Sequence, residues 1–246
     1  MSPLAPTGRL DLTACMRLIP IERSRQVSAI RHEGGVQYAL YSADGLPSGL
    51  LARLVLLSLS EIARHRQIVE LAQLPMAVAD STNLWLQVDS KAILDQTKRL
   101  ASSRWCASKV TKDGFSVENL AMRRLNSKDA SGQLSVDFGV EFCEWARSCP
   151  QPEPFSVQRL TTSSEVDIYI WLLERVVPHQ RVEFSWKELS ATFGKHGQEP
   201  TMAWGVELSR VISRTEIAVT WEQTDRGICM DARSNRLVIE PAATSV

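Results

Sequence analysis

The chain has 246 residues, 44% of them hydrophobic and 23% charged, an ordinary globular composition that excludes disordered, collagen-like and disulfide-scaffold classes. Its 28 basic residues balance 28 acidic ones, so the whole-chain charge argues mildly against a nucleic-acid binder, which usually carries a basic excess. That balance hides an asymmetry: residues 91–128 hold nine basic side chains against three acidic, whereas residues 153–246 hold ten against thirteen.

Residues 1–33 show no clear period and read as an N-terminal arm. A first domain then spans 34–147. Val36 to Tyr41 reads as a short strand. Asp44-Gly45-Leu46-Pro47-Ser48-Gly49 is dense turn chemistry, with Ser48 placed to cap a helix. Leu50 to Gln67 reads as that helix, apolar round most of its circumference, with Arg53, Ser60 and Arg64 on one narrow stripe. Such a helix belongs at the centre of a core. Pro75 interrupts the next segment.

Ser90 to Ser103, capped by Asp89 or Ser90, is amphipathic. Lys91, Asp95, Lys98, Arg99 and Ser102 share one face, and Ile93, Leu94, Thr97, Leu100 and Ala101 lie towards the other. This pattern lets a helix rest on a core and present cations outward. Trp105 to Thr111 reads as a strand, and Lys112-Asp113-Gly114 as a hairpin turn. A polar stretch comes next, with Arg123, Arg124 and Lys128. Leu134, Val136, Phe138, Val140 and Phe142 then alternate, which predicts a half-buried strand. Helix, short helix, basic helix, strand, turn, strand is the order of a winged helix, whose third helix enters the major groove.

Pro150, Pro152 and Pro154 mark a linker at 148–156, and a second domain spans 157–246. Ser164-Glu165-Val166-Asp167 resembles a capping box that opens a helix running to Val177. Val182 to Phe184 reads as a strand. Ser185-Trp186-Lys187-Glu188 is a second box, opening a helix that Gly194 can end. A third helix runs from Pro200 to Ser213, with Trp204, Leu208, Val211 and Ile212 on one side and Glu207, Arg210 and Arg214 on the other. Two alternating runs, Ile217 to Trp221 and Ile228 to Met230, flank Asp225-Arg226-Gly227. The fold class is therefore read as α+β, two tandem winged-helix domains.

The residue types that carry catalysis are sparse. Cys15, Cys106, Cys143, Cys149 and Cys229 show no C-x-x-C spacing, so neither a zinc site nor a disulfide framework is indicated. His32, His65, His179 and His196 form no metal-binding spacing, and no phosphate-binding glycine motif or nucleophile elbow occurs. A nicking initiator would need a tyrosine with a metal-binding histidine pair; Tyr38, Tyr41 and Tyr169 have no such companions, and Tyr169 sits in an apolar helical run. Trp171, Trp186 and Trp204 read as core rather than as base-stacking platforms. No enzyme, cofactor or metal is expected. The longest apolar stretch, Leu50 to Leu59, is broken by Arg53 and Ser58 and is too short to span a membrane. A soluble, cytoplasmic protein is the expectation.

The remaining signal is cationic. Lys91, Lys98, Arg99 and Arg104, with Lys109, Lys112, Arg123 and Arg124 around the hairpin, are the candidate DNA contacts of the first domain. Lys195, Arg210 and Arg214 are those of the second. Lysine and arginine suit phosphates, and arginine also suits guanine edges.

Residues 160–213 resemble the C-terminal family of RepA-type plasmid replication initiators. The resemblance runs through Leu160-x-x-Ser163-Ser164, Asp167-Ile168-Tyr169-x-Trp171-Leu172 with Arg175, Ser185-Trp186-x-x-Leu189, Phe193-Gly194 and Trp204-x-x-x-Leu208-x-x-Val211. A second block lies at Leu46-Pro47-x-Gly49 and Ala52-Arg53-Leu54, where the family usually has an aromatic in place of Ser48. Residues 68–133 match poorly. The resemblance implies a bacterial protein that binds repeated double-stranded sites in a plasmid origin and recruits host replication proteins such as the initiator and helicase. It also implies repression of its own gene and a switch between homodimer and monomer. The residues themselves leave open a winged-helix transcriptional repressor without an initiation role.

Overall fold

The computed structural model describes residues 10–23, 26–70, 73, 89–112, 114–122, 124–126, 135–177, 179–193, 202–215 and 217–234. Structure begins earlier than an arm would allow. Helix α1, Leu12–Arg17, is buried along its whole length and is N-capped by Asp11, whose side chain accepts from the Ala14 amide. Six residues are too few to hold a helix by propensity alone, so α1 owes its existence to its neighbours. Strand β1 (Ser28–Glu33) then pairs with β2 (Val36–Ser42) through a two-residue turn, with Glu33 opposite Val36. Gly34 and Gly35 occupy that turn at φ 56° and 79°, the doubly positive pair that a tight hairpin requires.

Helix α2, Gly49–His65, is the expected central helix: every residue from Ala52 to Ser60 is buried. Its buried hydroxyls are satisfied locally, Ser58 donating to the Leu54 carbonyl and Ser60 to that of Leu57. After β3 (Ile68–Glu70) comes α3 (Ser90–Ala101), which passes through Ser102 directly into β4 (Ser103–Thr111) and its hairpin partner β5 (Gly114–Ala121). The order β1-β2-β4-β5 makes a four-stranded antiparallel sheet.

The alternation at 134–142 does not produce one strand. Short strands β6 (Arg124–Asn126) and β7 (Ser135–Asp137) pair with each other, β7 also pairs with β3, and the chain then turns at Gly139 into α4, Val140–Ser148. Phe138 and Phe142 are two steps of a strand period but also one i,i+4 step. They stack at 5.6 Å, and Phe142 meets Trp145 at 5.1 Å. With Ala146 and Cys149 also buried, the helical reading covers more apolar surface than the extended one.

The proline-rich segment is pinned rather than loose. Arg64 donates to the carbonyls of Cys149 and Pro150, at 2.6 and 3.1 Å, and Glu153 donates its amide to the Tyr169 hydroxyl. Pro154 opens α5, Pro154–Gln158, from the N1/N2 turn where its missing N–H costs nothing.

Helix α6, Ser163–Arg175, is capped earlier than the sequence suggests: Thr162 and Glu165 form the capping box. Asp167 is thereby freed for another role. Strand β8 (Arg181–Ser185), helix α7 (Trp186–Phe193), helix α8 (Met202–Thr215) and the hairpin β9 (Ala218–Thr224) and β10 (Gly227–Ser234) complete the chain order. The Ser185–Glu188 box is present as read. These strands form an antiparallel sheet in the order β8-β10-β9. Trp171 of α6 sits among Phe184, Phe193 and Trp204, at 4.6, 5.5 and 6.0 Å.

The two halves share one contiguous core that runs from Leu10 to Ala232 among the described residues. Helix α1 packs against α6, and α2 packs against both α3 and α6. The link is polar as well as apolar: Arg53 of α2 is 1% exposed and pairs with Asp167 of α6.

Candidate nucleic-acid interface

Helix α3 is held on the core by Ile93, Thr97, Leu100 and Ala101, and Asp89 caps it by accepting from the Lys91 amide at 3.0 Å. That orientation leaves Lys91 and Lys98 exposed on the far side. Arg99 behaves differently. Its Nε donates to Asp95 at 2.9 Å and its Nη1 to the Leu46 carbonyl, and its side chain is only 14% exposed. Above it, Gly45 leaves room that any side chain would take: a Cβ there would lie 2.9 Å from Nη1. Ser42, Ser102 and Ser103 converge on the Arg99 carbonyl. Arg99 therefore fixes the exit of α3 against the turn before α2.

The hairpin after α3 has two faces, because side chains alternate along a strand. Trp105 and Ala107 are buried, opposite Leu40 and Tyr38 of β2, and Lys109 shares their face. Arg104, Cys106, Ser108 and Val110 lie on the other face, where Arg104 is exposed. Lys112 is exposed in the turn. Of the candidate contacts among the described residues of this half, the open ones are thus Lys91 and Lys98 on the helix, Lys112 at the apex, half-buried Lys109 below it, and Arg104 on the outer sheet face.

Arg124 lies in β6; its side chain, and the whole of Arg123 and Lys195, fall outside the described residues, as does Trp85. In the second half both candidate arginines face the Glu165 carboxylate. Arg214 donates to Glu165 at 2.8 Å and to Thr161 at 3.0 Å, and Arg210 lies 3.8 Å from the same carboxylate. Glu165, 1% exposed, also caps α6. It therefore ties α8 to α6, and Arg214, though 36% exposed, has its guanidinium committed to that tie. The exposed side of α8 carries Val206, Ser209, Arg210 and Ser213, which is not a basic stripe.

Two acids missed in the sequence do structural work around α1. Glu174 accepts from the amides of Leu12 and Thr13, and Glu118 of β5 accepts from the Leu10 amide at 2.8 Å. Burial pushes the Glu174 carboxyl up to about 8, with the neighbouring Asp11 charge adding to the rise. Asp11 is raised for the same first reason, and Arg175 pulls against it. Helix α1 is thus gripped from the hairpin strand on one side and from α6 on the other. Neither acid lies in a local sequence pattern, because each partner is more than a hundred residues away.

Tyr169 is 1% exposed and its oxygen accepts the Glu153 amide. Tyr38 is 5% exposed. Among the described residues no helix is long and apolar enough to cross a membrane, and no three His, Cys, Asp or Glu side chains group as a metal site.

No family model matches the chain, and no curated protein matches it. Among solved structures it is similar to domains 2-3 of RctB, residues 155–483 of that protein. The similarity covers 90% of this chain and 97% of that one, with a TM-score of 0.50 and 9% sequence identity. At that identity the likeness is one of fold, and it extends over both halves.

Proposed function

We propose that the chain is a DNA replication initiator that binds double-stranded origin DNA through two winged-helix units, without catalysing a covalent step. The observation that carries the reading is the continuity of α3 with the β4–β5 hairpin. One amphipathic helix is anchored by its apolar face and by Arg99, presents Lys91 and Lys98 outward, and runs straight into a hairpin bearing Lys109 and Lys112. A helix that reads a groove and a hairpin that tracks the backbone need that adjacency. The second half supports it with the order α6, β8, α7, α8, β9–β10, which is helix, strand, two helices and hairpin.

The fold shared with domains 2-3 of RctB, a replication initiator, points the same way, as does the RepA-type resemblance of 46–54 and 160–213. Under this reading the DNA contacts of the first unit are Lys91, Lys98, Arg104, Lys109, Lys112, Arg123 and Arg124. Those of the second are Lys195 and Arg210, with Arg99 and Arg214 as positioning residues. Repeated origin sites, host initiator and helicase as partners, a homodimeric form, repression of its own gene and a bacterial cytoplasmic setting belong to the same proposal.

The test is genetic. A replicon carrying the cognate origin but lacking this gene should fail to replicate and should recover when the gene is supplied in trans. Normal maintenance without the gene, together with binding to a promoter, would replace the initiator by a repressor.

A further inference from the structure

The tip of the β4–β5 hairpin carries the most exposed large apolar side chains of the described residues. Val110 is 78% exposed and Phe115 68%, and they stand directly opposite each other in the ladder. Val117, 49% exposed, lies on the same face one step down. Residues directly opposite on neighbouring strands have touching side chains, so the three form one small apolar surface. Water-exposed aromatic and β-branched side chains clustered at a hairpin end gain little from folding, and such a cluster marks a surface that a ligand can bury.

The surroundings indicate which ligand. Lys112 stands at the apex and Lys109 on the opposite face of the same strand. Glu118, the nearest described acid on β5, has its carboxylate committed to the Leu10 amide. Asp113 is the single acid in the turn sequence. An apolar face with an exposed lysine at its apex, on a two-stranded ribbon, matches the minor groove, whose walls are sugars and whose rims are phosphates. Proteins that bend DNA insert apolar side chains between base pairs from that groove.

We infer that Phe115, backed by Val110, is a wedge that enters the minor groove and unstacks a base step, while Lys112 at the apex holds a flanking phosphate. This rests on the DNA-binding reading and adds a mechanism to it: the hairpin opens or bends the duplex as well as tracking it. The expense of unstacking is least at flexible pyrimidine–purine steps, so the wedge also favours such a step in the site.

The experiment uses the full chain and the tightest-binding duplex recovered from a random-sequence pool, with 2-aminopurine placed across the bound site. Wild type should raise the fluorescence at one step and bend the duplex. Phe115→Ser should abolish both signals and weaken binding roughly tenfold to a hundredfold, the range expected for one buried aromatic side chain. The salt dependence should be unchanged, because no cation is lost, and Phe115→Trp should restore the signals. Wild-type binding with Phe115→Ser indistinguishable from it overturns the wedge alone. A change in oligomeric state of Phe115→Ser without DNA, with bending intact, assigns the patch to a second copy of the chain and also overturns it. Failure of wild type to select any duplex overturns the DNA-binding reading itself.

Discussion

Arg53 and Asp167 meet in a two-pronged buried ion pair, Nε to Oδ1 at 2.7 Å and Nη2 to Oδ2 at 2.9 Å. The same guanidinium also donates to the carbonyls of Ile19 and Gly49, so its charge is satisfied on every side. Both residues lie in the stretches that carry the RepA-type resemblance, 114 positions apart. Those two blocks are therefore one structural feature, the clamp between the first and second halves. Removing one partner leaves the other charge buried and unpaired, which costs about 3–5 kcal/mol. Asp167→Ala should lower stability by that order in chemical denaturation. Replacing both residues by apolar ones of similar volume should recover much of the loss. A neutral single variant would mean that the pair does not hold the halves together.

The second half depends on Trp171, which contacts three aromatic rings and is 3% exposed. Trp171→Ala should cost roughly 3–5 kcal/mol, visible as an early loss of the second sheet in hydrogen exchange. DNA affinity per folded molecule should change little if the first half supplies most contacts.

Lys98 and Arg99 are neighbours with opposite duties. Lys98→Ala should leave the melting temperature unchanged and reduce the log–log salt slope of DNA binding by about 0.9, the value for one phosphate contact. Arg99→Ala should lower the melting temperature, because the ties to Asp95 and Leu46 are lost. The reverse assignment of effects would place Arg99, not Lys98, on the DNA.

The grip on α1 depends on pH. Glu174 has its folded value raised to about 8 from an ordinary 4.5, first by burial. The folded state therefore holds a proton that the unfolded state has lost across that window. Its contribution to stability is complete below about pH 4.5 and disappears as pH rises through about 8. Glu174→Gln should flatten this slope while keeping a carbonyl to accept from α1. Melting curves from pH 5 to 9 compare the two. Equal slopes would show that Glu174 is already ionised in the folded protein.

Much of the fold was legible in the sequence, and the gaps have physical causes. Helices α2, α3 and α7 announce themselves through local signals: α2 by its wide apolar face, although Ser48 at its N-cap makes no side-chain capping bond, α3 by the Asp89 cap, and α7 by the Ser185–Glu188 box. The β4–β5 turn does so through Lys112 to Gly114. Helix α1 does not, since its stability comes from Glu174 and Glu118, far along the chain. Gly34-Gly35 is a hairpin signal that could have revealed β1. The alternation at 134–142 misleads because Phe138 and Phe142 satisfy both periods. For the proposed site, residue type and clustering single out Lys91, Lys98, Lys109 and Lys112 as candidates. Only coordinates separate them from Arg99 and Arg214, whose charges are spent on Asp95 and Glu165.

The measurement that bears most directly on DNA binding by this chain is a hydroxyl-radical footprint of the purified protein on the DNA flanking its own gene. The expected result is protection of repeated duplex sites, weakened by Lys91→Ala with Lys98→Ala and by rising salt. Absence of protection at any concentration that keeps the chain folded would contradict the initiator reading.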